Sequence, residues 1–152
     1  MANPHLDSLQ KLQSSLLQMH RYMLASLKSD REARTRQPIS PTDWFHLILS
    51  EPEYSWMRPI TGLMSDIDAL MDNYEVAEED LRIIRQELEG LFLIPSENPA
   101  DFSSKYQDMV RQDPDVMLYH GLLRQLIRAL PEPQGIPLDT RQTRRNWHQR
   151  KN

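Results

Sequence analysis

Proton transfer and metal binding would fall to five histidines, His5, His20, His46, His120 and His148, because the chain has no Cys. A metal site on helices wants His and carboxylate ligands three or four residues apart, so that they share a face. Only Asp43 and His46 have that spacing, and Asp43 stands where a helix begins. No metal and no cofactor is therefore expected. Serines are present, but none stands in a Gly-x-Ser-x-Gly elbow, and four glycines supply no phosphate cradle. No catalytic residue is expected.

Arg58 is the most suggestive cation. It sits beside Trp56 and Pro59 at the opening of an otherwise apolar helix, where a buried charge needs a partner. Asp66, Asp68 and Asp115 are the candidates for an ion pair. A sharper alternative places Trp56, Arg58, Tyr119 and His120 around one pocket for a small molecule, as a binding site or an enzyme's active site.

Charge is unevenly distributed. Between residues 66 and 80 stand seven acids (Asp66, Asp68, Asp72, Glu75, Glu78, Glu79 and Asp80) with no Lys or Arg. The run lacks the ligand and glycine order of a calcium loop, so it reads as a solvated rim able to receive a basic partner, the chain's own tail included. That tail carries Arg141, Arg144, Arg145, Arg150 and Lys151 with Trp147 among them. Five cations and one aromatic could hold phosphates and stack on a base, which opens a nucleic-acid alternative limited to this arm.

The elements that must position these residues are helical. Leu9, Leu12, Leu16, Met19 and Met23 recur at steps of three and four, and so do Trp56, Ile60, Leu63, Ile67 and Leu70. A third run is Leu81, Ile84, Leu88 and Leu91; a fourth is Val116, Tyr119, Leu123, Leu126 and Leu130. Ser40-Pro41-Thr42-Asp43, Asn98-Pro99-Ala100-Asp101 and Asp113-Pro114-Asp115 each read as a cap, a first-turn proline and an acid suited to the positive helix end. Pro59 either opens the second run after a turn or kinks it. Strand alternation and hairpin turns are missing. The expected fold is all-α: an antiparallel helical bundle of four long helices plus one or two short ones, the short ones near residues 40–49 and 99–112, with a flexible basic C-terminal tail. Gly62 and Gly121, inside helical runs, suggest close helix approach. The many Met residues, among them Met64, Met71 and Met117, read as core filling.

The whole chain of 152 residues has 18 basic and 22 acidic side chains, a net charge of −4. Divided at Pro131, that figure becomes a body of −7 over residues 1–130 and a proline-broken, mobile tail of +3 over residues 131–152. No secretory signal or membrane-spanning run stands out, and a cytoplasmic location is expected.

Two stretches carry a resemblance: Trp56-Met57-Arg58-Pro59-Ile60-Thr61-Gly62-Leu63 followed by Ile67-Asp68, and Tyr106 with Gln112-Asp113-Pro114-Asp115-Val116 and His120. Together they resemble a group of small uncharacterised bacterial all-helical proteins with no assigned function. The likeness covers residues 6–130 and implies a bacterial source; it supplies no functional residue. The function expected from the residues is a non-enzymatic module for protein contact, as a homo-oligomer, an adaptor or a regulatory subunit, because the apolar stripes exceed what one small bundle can hide.

Overall fold

Asn3 starts the first helix. Its side chain accepts the backbone N–H groups of His5 and Leu6, Pro4 follows, and α1 runs over Pro4–Thr35. The structure, a computed structural model, describes residues 3–149. Helix α1 buries Leu9, Leu12, Leu16, Met19 and Met23 along the expected stripe and ends at Arg36 in the left-handed region, φ 56°. The Asn3 amide also donates to the Val76 carbonyl, tying this end of α1 to the connection before α4.

Ser40 caps α2 (Pro41–Ser50) through the Asp43 N–H, as the sequence suggests. A 3₁₀ turn, Pro52–Met57, then leads into α3 (Arg58–Asn73), so Pro59 opens the helix and does not kink it. Proline suits this place because the first helical N–H groups have no intrahelical acceptor.

Helix α4 covers Glu78–Leu88 and continues as a π turn through Glu89–Leu93, closed by Ile94 N–H on the Glu89 carbonyl at 2.9 Å. The extra residue rotates the stripe by roughly 100°. Phe92, four residues after Leu88, takes the fully buried place that the spacing assigned to Leu91, which is only half-buried.

Helix α5 is Phe102–Gln112 and begins three residues later than Pro99. Asn98 accepts the Ala100 N–H in a turn of its own, so that cap-like sequence marks a loop and Asp101 is the residue before the helix. Asp113 caps α6 (Pro114–Arg128) by accepting from Asp115 and Val116. The last helix, α7, is Arg141–Asn146.

The fold is all-helical, with no strand among the described residues. Helix α1 is the central support, packed on α3, α4 and α6, while α5 packs on α6 and the π turn. One apolar cluster unites these helices and includes Trp147. No helix of the described residues is long and apolar enough to cross a membrane.

Three expectations give way here. A Cβ at Gly62 or Gly121 would meet nothing within 4 Å, so neither glycine serves close helix approach. Met117 is 52% exposed and is not core filling. Regular structure, which the prolines were expected to discourage after residue 130, is present as α7, and Trp147 just past it is only 3% exposed. The physical reason is that one buried indole and matched charges outweigh the three prolines, which fall before Arg141 and leave α7 itself proline-free.

Candidate functional site

The residues singled out from the sequence divide among three places. Trp56 lies against Phe102, ring centroids 5.6 Å apart, and Phe102 stacks nearly parallel on Tyr106 at 5.9 Å. Phe92 stands edge-on to both. Tyr106 then meets His120 at 5.4 Å, so Trp56 and His120 are the two ends of one aromatic stack. The Tyr106 hydroxyl is 2.6 Å from His120 Nδ1. Burial raises the Tyr106 pKa, so the phenol keeps its proton and is able to donate to an unprotonated Nδ1. Burial, and secondarily the Arg124 charge, lower the pKa of His120. A neutral imidazole holding a buried phenol is a structural pair here.

Tyr119 faces the other way, toward α1. Its hydroxyl shares a 3.0 Å hydrogen bond with buried Ser15, and its ring meets Tyr22 at 5.3 Å. Ser15 and Tyr22 were missed from the sequence; their spacing of seven along α1, on the same side as the apolar stripe, was the available signal. Arg58 is exposed and its side chain has no ion pair among the described residues; its backbone N–H donates to the Ser55 carbonyl and its carbonyl accepts the Thr61 hydroxyl at 3.0 Å. None of Asp66, Asp68 or Asp115 pairs with it, because Arg58 occupies the first turn of α3 and points to solvent.

No cavity brings Trp56, Arg58, Tyr119 and His120 together among the described residues. Trp56 alone borders an open cleft of about 640 Å³ between α1, the 3₁₀ turn and α5. On its α1 side Arg34 pairs with Asp30 at 3.0 Å and Glu53 at 3.2 Å, and Glu53 also holds Arg31 at 2.6 Å. No group of three metal-ligating side chains occurs among the described residues.

The acidic run and the tail meet each other. Asp66 accepts from Arg144 Nε and from His148 Nε2, both at 2.6 Å. Glu87 accepts the Thr140 hydroxyl and lies 3.7 Å from Arg144. Arg141 pairs with Asp139, whose carboxyl it holds down at a pKa of about 2. Asp68 is taken by the Gln13 amide at 2.8 Å. Of the tail cations named from the sequence, Arg145 alone stays without an ion pair among the described residues, while Arg150 and Lys151 lie outside them. Two of the five cations proposed for phosphates, Arg141 and Arg144, are thus paired with the chain's own carboxylates.

What the sequence did not single out is where the surface is apolar. On α6, Met117, Leu118 and Leu122 are 52, 82 and 47% exposed, and Leu118 and Leu122 stand one turn apart on the same side. On α2, Phe45 and Leu49 have the same spacing and comparable exposure. Comparison with known protein families, curated proteins and solved structures finds no match to this chain.

Proposed function

We propose that this chain is a non-enzymatic, cytoplasmic helical module that works by protein contact through the outer side of α6. We read its body as an antiparallel bundle whose four principal helices are α1, α3, α4 with its π turn, and α6. The observation that carries the reading is the exposure of Met117, Leu118 and Leu122 on a helix whose other side is fully packed. Apolar side chains grouped on one side of a helix lose water contact favourably when another chain covers them, and such groups mark interfaces more often than they occur by accident.

The simplest partner is a second copy; an adaptor or regulatory role with a different protein uses the same surface. Sedimentation equilibrium over a wide concentration range tests self-association. The expected result is a mass that rises with concentration and returns to that of one chain in Leu118→Lys. A mass of one chain throughout, unchanged by that substitution, removes the homo-oligomer.

A further inference from the structure

The place where residues 140–149 sit has the parts of a recognition site. Helix α7 buries none of its own residues; the side chain that enters the body is Trp147, just past its end. The last carbonyls of a helix have no intrahelical donor. Here two of them are satisfied from the end of α3: Tyr74 Oη donates to the Asn146 carbonyl at 2.7 Å, and Asn73 Nδ2 to the Trp147 carbonyl at 3.1 Å. Asp66 holds Arg144 and His148, and Glu87 holds Thr140. The place taken by the indole, two backbone-reading donors and two carboxylates thus converge on one short helix end.

The segment in the slot is separable from the body. It is joined through residues 131–139, which contain Pro131, Pro133 and Pro137, Gly135 at φ 76°, and Leu138 at 96% exposure. A helix of six residues has no stability of its own in water. Opening of this unit therefore costs less than unfolding of the body.

We propose that the slot formed by α3 and α4 recognises a basic helix end of another protein, bearing Trp with an Arg three residues before it and a His directly after it. Residues 140–149 fill the slot in cis and so restrain that binding. The inference does not depend on the α6 surface.

The test uses the full chain and a labelled peptide with the sequence of residues 139–149, followed by fluorescence anisotropy. In the double variant Arg144→Ala/Trp147→Ala the cis segment is weakened. That chain should bind the peptide about tenfold or more tightly than wild type, because apparent affinity scales with the fraction of open slot. Adding Asp66→Asn, or replacing the peptide's Trp by Ala, should reverse the gain. The proposal is overturned if the double variant, shown folded by circular dichroism, does not bind the peptide, or binds it equally well with Asp66→Asn. Should the double variant lose its fold, hydrogen exchange of the wild type decides. Faster exchange in residues 140–149 than in α1 supports a separable segment, and protection equal to that of α1 overturns it.

Discussion

The Tyr106 hydroxyl and His120 Nδ1 lie 2.6 Å apart, joining α5 to α6 at one end of the aromatic stack. The two partners are unequally covered, since Tyr106 is fully buried and His120 only partly. His120→Leu strands a buried hydroxyl and should cost about 1–3 kcal/mol, whereas Tyr106→Phe strands a half-exposed nitrogen and should cost about 1 kcal/mol. The double variant should be less destabilised than the two losses added together. Urea unfolding of the four proteins measures this; equal and additive losses would show that the pair is not coupled.

Two histidines set the pH response between neutrality and mild acid. Burial lowers the pKa of both His20 and His120 from 6.5. A His with a depressed folded value is neutral in both states above 6.5, and its stabilising share is then fully present. As pH falls through 6.5 toward the folded value the unfolded chain takes up protons first, so stability declines. Asp80 acts in a different window: burial raises it, and its share is present below 3.8 and lost as pH rises through the folded value. His120→Gln keeps an acceptor for Tyr106 and should flatten the fall in melting temperature between about pH 7 and pH 5. An unchanged slope would assign the effect elsewhere.

Gly62 and Gly121 stand inside helices with open space where a Cβ would lie. Replacing either by Ala removes backbone freedom from the unfolded chain without a clash. Each substitution should stabilise the protein by about 0.5–1 kcal/mol, read from thermal unfolding. Destabilisation would mean that the helix surface there is already covered.

Core and surface leucine-sized groups should part sharply. Phe92 is fully buried at the centre of the stack, and Phe92→Ala should cost about 3–5 kcal/mol. Leu118 is 82% exposed, and Leu118→Lys should change the stability of the isolated chain by no more than about 0.5 kcal/mol. A large loss at Leu118 in a dilute monomer would give that side chain a structural task.

Local chemistry was readable from residues where neighbours in sequence decide the outcome. Ser40 and Asp113 cap their helices because a short polar side chain reaches its own first-turn N–H groups, and Pro59 opens α3 for the same local reason. The same pattern misled at Asn98, where a turn uses the identical chemistry without starting a helix. Partners distant in sequence were readable only as patches, the acidic run and the basic tail, and not as individual pairs. The Arg144 to Asp66 pair spans 78 residues, and nothing in the spacing of Arg58 and its acids could show that they never meet. Leu91 and Phe92 stand three and four residues after Leu88, so the periodicity admits either, and the choice of Phe92 for the core rests on packing around the π turn at Glu89–Leu93. Tyr119 and His120, adjacent in sequence, were grouped as one site, yet successive helix positions are about 100° apart and they face different helices.

Contact of another protein with the outer side of α6 is read by a photo-cross-linking amino acid placed at position 118 in the native cell, with position 97 in the exposed loop before α5 as the control. A discrete adduct from position 118, to a second copy or to one other protein, is expected, and it disappears when Leu122→Lys is added. Adducts from position 118 no different from those at position 97, and indifferent to Leu122→Lys, would contradict it.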